Sequence, residues 1–306
     1  MKKYKPKKSL GQNFLKSAPA LRKIIEAGEI SPSDTILEIG PGKGALTEKI
    51  LGKLKTGKLI AVEKDRELFD FLSEKFKKEI AEEKLILKNE DILEFDPKKM
   101  ECDFFSGPRV ALRAQPDRSK KSIPFFYKII ANIPYNITGA ILKKFLGGEN
   151  PSGIALKASQ PERMILMVQK EVAERILARD GKESLLSISV KAYGEPKMIM
   201  KVPARYFSPA PKVDSAVISI KNISRKLFIN NLETVQSSTL HSFYNCEENK
   251  FWQIVRSGFA HKRKKVTSNL KKFAPLIKGV GGLETFGNKR AEELTLSDWI
   301  ELARMI

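Results

Sequence analysis

Between residues 35 and 220 the chain alternates two hydrophobic patterns. Short apolar runs occur at TILEIG (35–40), KLIAVE (58–63), KLILKNED (84–91), YKIIANI (127–133), RMILMVQK (163–170), SLLSISVKAY (184–193) and DSAVISI (214–220), and each has the length of a strand. Between them ALTEKILGKL (45–54), RELFDFLSEKFKKEI (66–80), TGAILKKFLGG (138–148) and KEVAERILAR (170–179) place apolar residues at i, i+3 and i+4, the spacing of amphipathic helices. The resulting βαβαβ order predicts an α/β fold: a mostly parallel sheet with helices on both faces.

The pattern changes after Ile220. From Ser238 onward only helical spacing is present, in ENKFWQIVRSGFAHKRKKVTSNLKKF (248–273) and, beyond GVGG (279–282), in TLSDWIELARM (295–305), where Ser297 is the expected N-cap partner. We therefore expect a larger domain over residues 1–221, opening with a basic arm, and a small all-helical domain over 222–306. The stretch 97–124 mixes prolines and basic residues without sustained periodicity, so it reads either as a basic finger reaching a partner or as a tolerated surface insertion.

Charge changes the picture more than length does. The 306 residues carry 56 Lys and Arg against 36 Asp and Glu, a net +20, with five lysines among the first eight residues and a second cluster at His261-Lys262-Arg263-Lys264-Lys265. Clustered cations of this kind suit a polyanion, because each one set on a phosphate releases condensed counterions. Two cysteines (Cys102, Cys246) and two histidines (His241, His261) form no familiar zinc spacing, so no metal is expected. No apolar run approaches a membrane span and MKKYKPKKS lacks a secretory apolar segment, so the expected location is the cytoplasm, away from membranes.

The candidate chemistry sits at the ends of the predicted strands. In ILEIGPGKGALTEKI (36–50) a strand runs into Gly40, Gly42 and Gly44 and a helix starts at once, an arrangement that lets a ligand approach the backbone. A dinucleotide site prefers G-x-G-x-x-G, whereas the spacing here is G-x-G-x-G. The next strand ends in Glu63, able to accept from ribose hydroxyls, and the one after in Asn89-Glu90-Asp91, where a carboxylate can take an adenine amino group. Three consecutive strands thus present polar groups at one carboxyl edge, and S-adenosylmethionine, with an adenosine but no diphosphate, fits better than NAD. At the end of the fourth strand stands NIPY (132–135). There the Asn132 side-chain oxygen and the Ile133 carbonyl can accept hydrogen bonds from an amino group, and Pro134 stiffens the loop that carries Tyr135.

SLGQNFL (9–15), LEIGPGKGALT (37–47), NED (89–91), NIPYNIT (132–138), VQKEVAERI (168–176), FSPAPKVDSAV (207–217) and KRAEELTLSDWIELA (289–303) together resemble the KsgA-type ribosomal RNA adenine dimethyltransferases. The resemblance implies a class I methyltransferase domain with a Rossmann-like sheet, followed by a small C-terminal helical domain. It also implies N6,N6-dimethylation of two adjacent adenines in the 3′-terminal hairpin of small-subunit ribosomal RNA, within a pre-ribosomal particle, by a monomer. Carried onto this sequence, it implies that Gln12, Asn13 and Leu15 close over S-adenosylmethionine and that Gly40 and Gly42 approach its methionine part. Glu63 would hold the ribose and Asp91 and Ile92 the adenine, with Glu38 and Lys64 completing the cofactor set. Asn132, with Ile133, Pro134, Tyr135 and Phe207, would carry catalysis, and Lys7, Lys8, Lys262, Arg263, Lys264 and Lys265 would grip RNA. The sequence departs from the family at Ala210, where many relatives have proline. Two alternatives resemble the same pattern: Erm-type methylation of large-subunit RNA, and a ribosome-assembly or transcription factor of this fold that binds RNA without catalysis.

Overall fold

The computed structural model describes residues 4–7, 10–97, 100, 126–147, 160–228, 237–276 and 286–305. Lys8, the GVGG stretch and nearly all of the 97–124 segment lie outside these residues.

In chain order the elements are β1 (Phe14–Leu15), α1 (Ala18–Gly28), β2 (Thr35–Ile39), α2 (Ala45–Leu51), β3 (Lys58–Val62), α3 (Arg66–Lys75), α4 (Lys77–Ala81), β4 (Leu85–Lys88), β5 (Lys128–Asn132) and α5 (Thr138–Leu142). They continue with β6 (Arg163–Gln169), α6 (Lys170–Leu177), α7 (Leu185–Lys191), β7 (Glu195–Val202), β8 (Phe207–Ser208), β9 (Ser215–Lys221), α8 (Ser237–Gly258), α9 (Val266–Asn269) and α10 (Leu296–Met305).

Seven strands form one sheet in the order β4-β3-β2-β5-β6-β9-β7. The first five are parallel, and β9 runs antiparallel to both β6 and β7. Helices cover both faces, which is why β2 is buried at every position and reads as a continuous apolar run. One apolar cluster, which includes Leu37, Ile129 and Leu166, continues without a break into Trp252, Phe273 and Trp299 of the C-terminal helices. The opposite face packs Ile36, Ile130 and Ile165 against Leu21 and Ile24 of α1. Beyond Lys221 the described residues contain helices and turns, with one isolated bridge between Lys265 and Arg290.

Three expectations are corrected here. SLLSISVKAY is not a strand: Ser184 and Ser187 exchange side-chain and backbone hydrogen bonds as a capping box, and α7 follows, burying Ser187, Ile188 and Val190. The strand expected there is β7, one step later. Its Glu195, Lys197 and Lys201 and its Pro196 hide it from a hydrophobicity pattern, because it is an edge strand with one half-covered face. The basic cluster is not inside a continuous helix either: α8 stops at Gly258, and residues 261–264 turn before α9. Lastly, the cap of α10 is Thr295 rather than Ser297, since Thr295 Oγ1 accepts from the Asp298 N–H (3.2 Å) while Asp298 Oδ2 accepts from the Thr295 N–H (2.8 Å).

Candidate functional site

The carboxyl ends of β2, β3, β4 and β5 open onto a cavity of about 600 Å³. Gln12, Asn13, Leu15, Glu38, Gly40, Gly42, Glu63, Lys64, Asp91, Ile92, Asn132, Ile133, Pro134 and Tyr135 all line it. The topology accounts for this convergence: the sheet order places β2 beside both β3 and β5, so segments far apart in sequence end at one edge.

The glycine loop bends at its first two glycines, with φ of +64° at Gly40 and +60° at Gly42. At Gly42 a Cβ would stand 2.9 Å from the Phe14 ring, so the loop and the N-terminal arm pack at a distance only glycine allows. The N–H groups of its three glycines are spent inside the protein. Gly40 donates to the Val62 carbonyl (2.9 Å), Gly42 to Glu63 Oε2 (3.1 Å) and Gly44 to the Pro41 carbonyl (2.9 Å). A dinucleotide fold points such donors at a pyrophosphate; this loop does not.

Four carboxylates stand around the loop, two raised and two lowered. Glu38 is buried, and desolvation pushes its carboxyl up to about 8, against the hydrogen bond from the Thr47 hydroxyl (2.8 Å). Burial also raises Glu63, opposed by the N–H groups of Asp65 and Gly42 that its two oxygens accept. At Asp91 burial works upward as well, but the Lys64 ammonium (2.7 Å) and the Leu93 N–H (2.9 Å) prevail and lower it.

The fourth, Asp65, was not among the expected site residues. It is 2 % exposed. It receives the Tyr4 hydroxyl (2.6 Å), the Lys7 ammonium (2.8 Å) and the Gln12 amide (2.8 Å). Burial pushes its carboxyl up, but these donors outweigh it and hold it at about 2. Asp65 is also the N-cap of α3, accepting from the Glu67 N–H at 3.0 Å. A cap at Asp-x-Glu before an apolar run is legible in sequence; its service as the clasp of the N-terminal arm is not.

That arm crosses the cavity mouth and pairs in antiparallel register with β8, Phe14 opposite Ser208 and Leu15 opposite Phe207. The Tyr4 and Phe14 rings meet edge to face at 5.9 Å, and the Lys43 ammonium lies 5.0 Å from the Phe14 ring. Asn132, at the end of β5, donates its amide to the Asn13 carbonyl at 3.0 Å. Its other amide atom, Oδ1, is the acceptor left at the cavity. Tyr135 lines the same wall, with its hydroxyl 2.5 Å from Ser215 Oγ.

Phe207 departs from expectation. Its side chain is 2 % exposed and packs with Leu15, Leu21, Val202 and Val217 in the core, while its neighbour Ser208 lines the cavity. Of the two rings expected to take part in catalysis, Tyr135 lines the cavity and Phe207 does not. Among the expected RNA-binding residues, Lys7 is engaged by Asp65 and Glu67, whereas Lys262, Arg263, Lys264 and Lys265 lie exposed on the turn before α9, with Lys265 donating to Asn288 Oδ1. Among the described residues no His, Cys, Asp and Glu group could hold a metal, and no helix is long and apolar enough to cross a membrane.

A doubly wound sheet of this order, with a self-satisfied glycine loop after its first parallel strand and an acid ending the second, defines a Rossmann-like methyltransferase. Comparison with known proteins narrows the class. Residues 3–295 match the family described as ribosomal RNA adenine dimethylase. The chain is 34% identical, over 97% of its length and 87% of the relative's, to a ribosomal RNA small subunit methyltransferase A of Dehalococcoides mccartyi. It is 35% identical to the protein of the same name from Fusobacterium nucleatum, over 99% of this chain and 98% of that one. In fold it is similar to the crystal structure of a dimethyladenosine transferase from Plasmodium falciparum, with a TM-score of 0.64, 24% identity, and coverage of 94% of this chain and 95% of that one. The chain belongs to the ribosomal RNA adenine dimethylase family.

Proposed function

We propose that this protein is an S-adenosylmethionine-dependent methyltransferase that dimethylates N6 of two adjacent adenines in the 3′-terminal hairpin of small-subunit ribosomal RNA. The observation that carries this reading is the placement of Asn132 in one cavity with Glu63 and Asp91, its amide already spent on Asn13. The names of the full-length relatives point to the small subunit rather than the large one.

The cavity suits the cofactor. Glu63 would hold the ribose, Asp91 and Ile92 the adenine, and Gly40 and Gly42 leave room along the methionine part, while Gln12, Asn13 and Leu15 cover it. The internally satisfied glycine loop argues against a diphosphate ligand. When bound, S-adenosylmethionine supplies an electrophilic methyl group on a sulfonium.

The adenine amino group is a weak nucleophile because its lone pair is delocalised into the ring. Asn132 Oδ1 and the Ile133 carbonyl accept its two N–H groups, which holds the nitrogen and turns its lone pair toward the cofactor side. Pro134, at φ −59° and ψ 131°, fixes the angle between these acceptors. Tyr135 gives the base a face, and stacking of this kind is worth about 1 to 3 kcal/mol. Orientation supplies most of the rate: well-aligned reactants gain on the order of 7 to 11 kcal/mol. After one transfer the methylated nitrogen, now cationic, releases one proton to water, and its remaining N–H is held by either acceptor, so the same pair serves both methylations. The exposed Lys262 to Lys265 turn and the basic arm meet RNA phosphates, and the protein acts as a cytoplasmic monomer on a pre-ribosomal particle.

The test is methylation of unmethylated small and large ribosomal subunits with labelled cofactor, followed by mapping of the modified bases. Dimethyladenine at two adjacent small-subunit positions is expected. Label confined to the large subunit would instead support the Erm-type reading, and no label on either subunit would support a non-catalytic RNA-binding role.

A further inference from the structure

Tyr135 lines the cavity at the strand ends, yet its hydroxyl lies 2.5 Å from Ser215 Oγ, and Ser215 is fully buried and forms no part of the cavity lining. The two residues are 80 apart in sequence.

The sheet topology brings them together. β5 ends at Asn132, shortly before Tyr135, and β6 lies beside it. Because β9 runs antiparallel to β6, its first residue, Ser215, stands opposite Gln169, the last residue of β6, at the edge where the parallel strands end. A parallel strand would have set its last residue there. Ser215 is itself firmly placed. It pairs with Val202 of β7 as well, and the adjoining Asp214 accepts from the Lys170 N–H with its carbonyl (3.0 Å) and from the Ala204 N–H with Oδ1 (3.0 Å).

Tyr135 is therefore tied at both ends. Its carbonyl accepts from the Thr138 hydroxyl (3.1 Å), inside a turn closed by the Ile137 N–H on the Pro134 carbonyl (3.3 Å). At the ring tip, Ser215 Oγ is the only hydrogen-bond partner of the hydroxyl among the described residues. A tyrosine held by its backbone alone can exchange staggered rotamers, whereas a bond at the ring tip selects one. Burial by itself does not impose such a bond. Ser219 lies on the same strand and is equally buried, and its hydroxyl has no partner among the described residues.

We propose that Ser215 is a positioning residue for methyl transfer: its hydroxyl holds the Tyr135 ring in the one orientation that serves as a wall for the target base. The proposal rests on the reading of Tyr135 as that wall. Ser215 touches neither cofactor nor base and acts through Tyr135.

Single-turnover methyl transfer is measured on whichever ribosomal subunit accepts label, at saturating S-adenosylmethionine and well below each melting midpoint. Ser215→Ala and Tyr135→Phe should each slow transfer about tenfold, the scale of one lost bond amplified by misorientation. Subunit affinity, and the affinity and stoichiometry of S-adenosylmethionine by calorimetry, should stay at parental values, which a partly unfolded protein would not show. Because both substitutions remove the same bond, the double variant should be no slower than the slower single. Ser219→Ala, which deletes a buried hydroxyl from the same strand, should keep the parental rate. Tyr135→Ala tests the underlying reading and should lose more than Tyr135→Phe. If Tyr135→Ala is slow while Ser215→Ala transfers at the parental rate, the anchor is overturned and the role of Tyr135 stands. Losses that multiply in the double variant, or an equal loss in Ser219→Ala, also overturn the anchor. A parental rate in Tyr135→Ala overturns the reading of Tyr135 as the wall, and the anchor with it.

Discussion

Asn132 and Asn13, 119 residues apart, meet through one hydrogen bond of 3.0 Å from the Asn132 amide to the Asn13 carbonyl. The bond joins the end of a central strand to the N-terminal arm and dictates which amide atom faces the cavity. In Asn132→Asp the donor is lost and a carboxylate is set against the Asn13 carbonyl; in Asn132→Ala the acceptor is lost as well. Both variants should lose at least about 10²-fold in single-turnover methyl transfer, the scale on which small misplacements act. Calorimetry should find S-adenosylmethionine affinity within a few fold of the parent. A fully active Asn132→Asp enzyme would remove the role given to this residue.

Asp65 clasps the arm and caps α3 at once. Asp65→Ala should cost roughly 2 to 4 kcal/mol, combining charge-assisted hydrogen bonds with a lost cap. Because the folded carboxyl titrates at about 2 against an ordinary value of 3.8, its contribution is fully present above pH 4 and is lost as pH falls toward 2. Trypsin cleavage within the arm, after Lys16, should accelerate in Asp65→Asn at neutral pH. The share of the acid-melting slope between pH 4 and 2 that belongs to Asp65 should vanish in that variant.

Glu38 carries the opposite sign. Its folded carboxyl is raised to about 8, so it stays protonated at neutral pH, and the folded state loses stability as pH rises from the ordinary value of 4.5 to about 8. Glu38→Gln keeps an acceptor for the Thr47 hydroxyl and removes the ionisation. The melting midpoint of the variant, relative to the parent, should therefore rise between pH 5 and pH 8, and an unchanged difference over that range would contradict an ionisable Glu38 in the core.

The exposed turn at Lys262 to Lys265 is assigned to phosphate contact. Replacing these four residues by alanine should weaken RNA binding and flatten the dependence of log K on log salt by about 0.7 to 0.9 for each phosphate contact removed. Filter binding across a salt series measures the slope. An unchanged slope would mean that the cluster only solvates the turn.

Much of the fold was readable because its central strands are buried on both faces. TILEIG, KLIAVE and RMILMVQK had to be nearly continuous apolar runs, and Gly42 had to be a glycine where Phe14 packs against the loop. The misreading of SLLSISVKAY has an equally local cause. Ile188 and Val190 alternate as a strand would, and only the reciprocal bonds of Ser184 and Ser187, with burial against the neighbouring helices, select the helix. The real strand β7, being an edge, had no continuous apolar signature to offer.

What the sequence by itself determined is the kind of chemistry: glycines, Glu63, Asp91 and NIPY at strand ends, since local residue type and strand periodicity decide which groups reach a sheet's carboxyl edge. Only the tertiary structure decided how those groups are set. The clasp of Tyr4, Lys7 and Gln12 on Asp65, the turning of Asn132 by Asn13, the burial of Phe207 and the bond between Tyr135 and Ser215 all depend on segments tens to more than a hundred residues apart. Such contacts come from chain topology and burial, which no local pattern encodes.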